Sequence, residues 1–143
     1  MPGPDERPAS SGPGTAAVLA AVAVGGVLGA EARYGLSLAV PHVPGTWPWS
    51  TLLTNVSGCV LIGVLMVLIT ERWRVHPLTR PLLGVGVLGG YTTFSTYAVD
   101  AVLTARAGAL GPALGYVLAT PVLAVLGVAA GALLARRVAG ERR

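Results

Sequence analysis

The sequence predicts an all-α membrane protein with four transmembrane helices, the third of which is broken at its centre. Hydrophobic residues make up 53% of the 143 residues and charged residues only 11%, whereas soluble domains carry about 25% charged residues. Crossing a bilayer core takes about 20 helical residues. Four apolar segments reach that length, and they are residues 15–40, 50–70, 82–105 and 110–135.

The regions outside these segments are short. Residues 1–14 are rich in Pro, Gly and Ser and predict a disordered N-terminal tail. A four-helix transmembrane domain is expected over residues 15–136, followed by a short basic C-terminal tail over residues 137–143. The apolar segment after the first tail is too long for the hydrophobic region of a signal peptide, so we expect the first helix to be retained.

The sequence lacks the residues that several functional classes of protein need. The one cysteine, Cys59, lies within the second apolar segment, and His42 and His76 fall in predicted loops without partners at metal-ligand spacing. No nucleophile–base pair and no paired carboxylates are visible, so we do not expect an enzyme. The net charge of +4 comes from arginines scattered over loops and tails, a pattern that does not indicate nucleic-acid binding.

The arginines also predict the orientation in the membrane. With four spans, both termini and the loop between spans two and three lie on one side, and that side carries Arg7, Arg72, Arg74, Arg80, Arg136, Arg137, Arg142 and Arg143. The opposite side carries Arg106 alone. Because arginine-rich loops stay in the cytoplasm, we expect a multi-pass protein of the cell membrane with cytoplasmic N- and C-termini.

Polar and small residues in the first two spans allow more than one interpretation. Gly25 and Gly29 are four residues apart, a spacing that lets two membrane helices pack closely. Arg33 lies about two-thirds of the way along the first span, where it either extends to the outer interface or attracts anions to a pore mouth. In the second span, Asn55 either joins helices or presents its amide donors to something that passes.

The third span contains the stretch least compatible with a membrane helix, GGYTTFSTY at residues 89–97. Gly89 and Gly90 lie near the middle of this span and predict an opening in the helix at that point. Non-helical backbone at such depth is tolerated only where protein or a cavity covers it, and freed carbonyls suit a small cation. Beyond the opening, Phe94 and Tyr97 share one helix face.

Three segments together resemble the Fluc/CrcB family of fluoride channels. They are GGVLGAEARYG at residues 25–35, TLLTNVSGCVLIG at 51–63 and GVLGGYTTFSTY at 86–97. The resemblance implies a subunit of a fluoride-selective ion channel that lets cytosolic fluoride leave the cell and so lowers fluoride toxicity. It also implies a dimer of antiparallel subunits, of the dual-topology type, with two narrow pores and a structural sodium ion on the two-fold axis.

The resemblance further implies roles for individual residues. The backbone carbonyls of Gly89 and Thr92 would hold the sodium ion, which is not transported. Arg33 would attract anions at the pore vestibule. Hydrogen-bond donors and the positive edges of aromatic rings would line the fluoride pore, and these residues are Asn55, Phe94, Tyr97, Ser95 and Thr96.

Two features depart from the family pattern. Tyr97 takes the place of the second phenylalanine of the motif, and its hydroxyl either needs a protein partner or itself donates to the anion. The uneven arginine count does not suit a homodimer whose copies insert in both directions. We therefore hypothesise a heterodimer with a homologous chain of opposite orientation.

An alternative from another class is a small multidrug-type, proton-coupled exporter that uses Glu31. Against it, Arg33 is close to Glu31, the third span is rich in hydroxyls, and aromatic residues that would enclose an organic cation are few. A membrane subunit with a purely structural role is a further alternative, but it gives no reason for the stretch at residues 89–97.

Overall fold

The computed structural model describes residues 12–43, 45–72 and 75–140. Within these ranges the chain forms helices and no strand, and the α-helices are α1 Thr15–Ala39, α2 Trp49–Val67, α3 Leu88–Tyr91, α4 Ser95–Arg106 and α5 Leu110–Gly140. Two π-helical segments adjoin them: π1, Leu68–Arg72, continues α2, and π2, Arg80–Val87, leads into α3. Residues 1–11 and 141–143 of the predicted tails lie outside the described residues.

Three helices in the described part of the chain are long and apolar enough to cross a membrane: Thr15–Ala39, Trp49–Glu71 and Leu110–Gly140. Each coincides with a predicted span, and α5 continues past residue 136, the predicted end of the transmembrane domain. The third predicted span, residues 82–105, is divided between π2 with α3 on one side and α4 on the other.

Helix α1 packs against π2 and α3 through glycines. Gly25 and Gly29 are buried, and a Cβ atom added to Gly29 would collide with the Val87 carbonyl. From the other side, a Cβ atom on Gly90 would collide with the backbone of Gly26. The two backbones are therefore in direct contact, and the small-residue spacing in the first span is confirmed as a packing motif.

Helix α2 packs against α5 in a similar way. A Cβ atom on Gly63 of α2 would collide with the Val128 carbonyl, and one on Gly131 of α5 with the Val60 carbonyl. The turn that brings α4 alongside α5 is a Schellman motif, with Gly108 at φ +83°. Its two closing hydrogen bonds run from Gly108 N to Ala105 O (3.0 Å) and from Ala109 N to Thr104 O (3.3 Å).

The interruption in the third predicted span lies at Thr92–Phe94, after the glycine pair. Gly89 and Gly90 remain within α3, so the prediction that this pair itself opens the helix is wrong. The chain instead becomes extended at Thr92, with φ −75° and ψ 158°. The physical reason is a contact from α2, described below, that takes the main-chain groups of the next residue.

The buried core of the described residues contains as many polar as apolar side chains. The apolar members are Leu52, Val67, Leu88, Ala113, Tyr116 and Ala135, and the polar members are Ser50, Thr51, Thr54, Asp100, Thr104 and Thr120. Polar groups at membrane depth are costly unless they face protein or water. This chain places them between α2, α4 and α5, next to the interruption.

Candidate functional site

Asn55 of α2 holds the interruption in place. Its Nδ2 donates to the Thr93 carbonyl at 2.9 Å, and the Thr93 amide donates to its Oδ1 at 2.8 Å. One side chain thus takes both main-chain groups of Thr93, and the structure shows Asn55 joining two helical segments. Because Nδ2 carries a second N–H, this contact is also compatible with donation to an anion.

The carbonyls of Gly89 and Thr92 lose their usual helical donors at the interruption. In a continuous helix the Thr93 amide would donate to Gly89, and the Thr96 amide would donate to Thr92. Instead the Thr93 amide donates to Asn55, and the Thr96 amide donates to the Thr93 hydroxyl oxygen at 3.1 Å. Both carbonyl oxygens are left with spare acceptor capacity, which suits a cation that prefers oxygen ligands.

Phe94 and Tyr97 lie together, as their shared helix face predicts. Their ring centroids are 5.6 Å apart with the planes at 45°. Phe94 is 80% exposed, whereas Tyr97 is half-buried and its ring centroid lies 5.2 Å from that of Tyr116 in α5. The Tyr97 hydroxyl donates to the Val117 carbonyl at 2.8 Å, so this hydroxyl has a protein partner.

Arg33 is directed towards the end of α3. Its Nε donates to the Gly90 carbonyl at 3.2 Å, and its side chain is half-buried. A cation is favourable beside the carbonyl end of a helix. Arg33 therefore has a local role in capping α3, in addition to any effect of its charge on anions.

Every residue predicted for the site except Ser95 lines one of two cavities, and Thr93 lines both cavities. The smaller cavity, about 200 Å³, is lined by Arg33 and Thr96 together with residues of α1 and α2. The larger cavity, about 630 Å³, is lined by the remaining predicted residues apart from Ser95, namely Asn55, Gly89, Thr92, Phe94 and Tyr97. Ser95 is exposed, and its Oγ lies 3.3 Å from Thr93 Oγ1.

Sequence reasoning gave no role to Thr93, although it is the residue on which these contacts converge. Its main chain binds Asn55, its hydroxyl oxygen accepts from the Thr96 amide, and the Thr93 and Thr96 hydroxyl oxygens are 3.1 Å apart. Thr93 is one of several hydroxyl residues in its stretch, so no local signal distinguishes it from the others.

Asp100 is buried in the polar core. It is 9% exposed, and its Oδ2 accepts a hydrogen bond from the Thr51 hydroxyl at 2.6 Å. The buried hydroxyls of Thr104 and Tyr116 have no hydrogen-bond partner among the described residues. Buried hydroxyls of this kind are commonly satisfied by ordered water.

Glu31, the residue on which the exporter alternative depends, lies elsewhere. It is exposed on α1, two positions from the buried Gly29, so it is directed away from the contact between α1 and α3. It lines neither of the two cavities. This position does not favour the exporter alternative.

The chain is similar to a set of known membrane proteins. Residues 20–132 match the family model described as CrcB-like protein, Camphor Resistance (CrcB), a range that includes both cavities. The chain is 48% identical to fluoride-specific ion channel FluC 2 of Nocardia farcinica, over 95% of this chain and 97% of the relative. It is 55% identical to FluC 2 of Thermobifida fusca over 80% and 85%, and 51% identical to FluC 1 of Streptomyces coelicolor over 86% and 80%.

Proposed function

The chain belongs to the CrcB family, and on that premise we propose that it is a subunit of a fluoride-selective ion channel through which cytosolic fluoride leaves the cell. The observation that carries the proposal is the interruption at Thr92–Phe94, which places polar main chain and two aromatic rings inside an otherwise apolar segment. Relatives that are 48% and 55% identical bear the name fluoride-specific ion channel. The proposed activity is passive transport, and no residue is assigned a catalytic role.

In this proposal residues 80–106 cross the membrane as two half-helices, which together with α1, α2 and α5 makes four spans. Lipid cannot satisfy the open backbone at Thr92–Phe94, and Phe94 is 80% exposed in the single chain. A second subunit of opposite orientation would cover both features. The incomplete burial of the site therefore supports an antiparallel dimer.

The Gly89 and Thr92 carbonyls are proposed to hold a structural sodium ion at the dimer centre. Both carbonyls fit this role because side-chain oxygens of Asn55 and Thr93 have taken the amides that would otherwise donate to them. A bound cation supplies positive charge that lowers the cost of placing anions nearby. The ion is part of the scaffold and is not transported.

Fluoride is proposed to pass through the larger cavity, past Asn55, Phe94 and Tyr97. The second N–H of Asn55 and the positive ring edges attract an anion without a full charge that would trap it. The smaller cavity is the proposed vestibule, where Arg33 raises the local concentration of anions. Two further hydroxyls are proposed to continue the path, those of Ser95 and Thr96.

The subunit is proposed to lie in the cell membrane with cytoplasmic termini and to pair with a homologous chain of opposite orientation. The arginine distribution supports a single orientation. Streptomyces avermitilis has relatives named FluC 2 and FluC 3, so several such chains occur in one organism. An inside-negative potential favours outward movement of an anion by about 2.3 kcal/mol per charge per 100 mV.

Fluoride efflux from liposomes tests the proposal. The purified chain is reconstituted alone and with a homologous chain, the liposomes are loaded with potassium fluoride, and efflux is recorded with a fluoride electrode after valinomycin is added. Fluoride is expected to leave rapidly, while matched potassium chloride liposomes release little chloride. An absence of fluoride efflux in both preparations would contradict the proposal. Efflux that requires a proton gradient and is abolished by Glu31→Gln would favour the exporter.

Two arms of the same experiment test the finer proposals. Efflux by the chain alone supports a homodimer, whereas efflux only with the added partner supports the heterodimer. Replacing sodium with N-methyl-D-glucamine throughout purification and recording is expected to reduce efflux. Unchanged efflux without sodium would contradict the proposed cation site.

A further inference from the structure

Helix α5 contains a main-chain acceptor that its own backbone cannot satisfy. The helix runs without interruption from Leu110 to Gly140 and includes Pro121. In a helix the carbonyl of Val117 accepts from the amide four residues later. That residue is Pro121, which has no N–H, so the Val117 carbonyl lacks its helical donor.

The Tyr97 hydroxyl lies where the missing amide would donate. It donates to the Val117 carbonyl at 2.8 Å, an ideal distance for an O–H donor. The ring of Tyr97 lies beside Tyr116 of α5, and both Tyr97 and Pro121 line the larger cavity. A phenylalanine at position 97 would keep the ring contact and leave the carbonyl without a donor.

We infer that Tyr97 is a positioning residue whose hydroxyl takes the place of the missing Pro121 amide and fixes the start of α4 to α5. A hydroxyl has one hydrogen to donate, and here it is given to Val117. The ring is thereby held in one orientation beside the cavity. Tyr97 then presents its ring edge to fluoride and not its hydroxyl, a consequence that rests on the proposed function.

A double-mutant cycle tests the inference. Four proteins are compared: the native chain, Tyr97→Phe, Pro121→Ala and the double variant. Their thermal unfolding midpoints are measured in detergent, a readout that does not depend on fluoride transport. Tyr97→Phe is expected to lower the midpoint by roughly 3–5 °C in the native chain. The alanine at position 121 supplies the amide for Val117, so the shift is expected to fall below half in the Pro121→Ala background.

Tyr116 provides the matched control. Its hydroxyl is buried and makes no hydrogen bond to the Val117 carbonyl, so Tyr116→Phe is expected to shift the midpoint by the same amount in both backgrounds. Equal shifts for Tyr97→Phe with Pro121 and with alanine would overturn the inference. If Pro121→Ala does not fold, the midpoint of Tyr97→Phe in the native chain remains decisive, and an unchanged midpoint for this variant overturns the inference.

Fluoride efflux separates the positioning role from direct donation to the anion. If the hydroxyl acts through Val117, efflux per folded protein recovers in the double variant relative to Tyr97→Phe alone. If the hydroxyl donates to fluoride, Tyr97→Phe lowers efflux by the same factor in both backgrounds, and the functional part of the inference is wrong. A chain that transports no fluoride at all leaves the stability cycle intact, so failure of the proposed function is distinguishable.

Discussion

At the residue scale, polar side chains near the interruption bind main-chain groups. Asn55 takes the amide and the carbonyl of Thr93, and Arg33 donates to the Gly90 carbonyl. Polar residues within apolar segments mark these positions in the sequence, because they are expensive in a membrane. The sequence does not reveal their partners, since Asn55 and Thr93 are 38 positions apart and only the packing of α2 brings them together.

Asn55→Asp is expected to lower fluoride efflux by more than tenfold. It is also expected to lower the thermal midpoint. The carboxylate still accepts from the Thr93 amide but cannot donate to the Thr93 carbonyl, which lies in a half-buried contact, and loss of a hydrogen bond costs about 1 kcal/mol. The added negative charge also opposes an anion in the same cavity. Efflux from liposomes and unfolding in detergent measure the two effects.

Ser57→Ala is the matched control for this substitution. Ser57 lies on the same helix and contacts the Tyr91 hydroxyl at 3.0 Å, but it lines neither cavity and does not contact Thr93. We expect efflux close to that of the native chain. Native-like efflux and midpoint in Asn55→Asp would contradict the proposal that Asn55 stabilises the interruption and lines the fluoride path.

At the element scale, the lengths of the apolar segments predict the helices well and the position of the interruption less well. The first predicted span, residues 15–40, corresponds to α1 at Thr15–Ala39, because a run of apolar residues in lipid has no alternative to a helix. The sequence predicts the interruption at Gly89–Gly90, since glycine weakens helices. Gly90 instead packs against the backbone of Gly26, and Gly89 lies on the open face of α3. The contact with Asn55 determines where the helix ends.

Gly29→Ala is expected to lower the thermal midpoint, because overpacking lowers the free energy of unfolding by about 1–3 kcal/mol. The added methyl group would collide with the Val87 carbonyl, and backbone cannot move aside as a flexible side chain can. Gly35→Ala is the matched control on the same helix, because no atom lies within 4 Å of its added Cβ. Equal midpoints for the two variants would show that α1 is not in direct contact with the backbone at Val87.

At the scale of the whole molecule, the described residues have an interior that is half polar and an exterior rich in large apolar side chains. Hydroxyls and one carboxylate lie between α2, α4 and α5, while large apolar side chains such as Leu19, Leu118 and Val125 are more than 60% exposed. Composition predicts this arrangement, because a chain with 11% charged residues cannot cover itself with polar surface. Composition does not predict which apolar face meets lipid and which would meet the proposed second subunit.

The orientation of the chain decides between the two proposed dimers. A C-terminal fusion to green fluorescent protein or to alkaline phosphatase reports on which side of the cell membrane the terminus lies. We expect fluorescence without phosphatase activity, because the arginines on the predicted cytoplasmic side, among them Arg72, Arg80 and Arg136, are opposed by Arg106 alone.

A charge-shifted variant provides the control for this measurement. Replacing Arg80, Arg136 and Arg137 with alanine, and adding arginines to the loop at residues 41–48, is expected to populate both orientations if arginine count sets the insertion. A native chain that already shows equal signals from the two reporters would contradict the heterodimer proposal, because such a chain supplies its own antiparallel partner. On the proposal of an antiparallel dimer, a native chain in one orientation cannot form the dimer from its own copies, and we expect fluoride efflux in cells to depend on a second, homologous gene product.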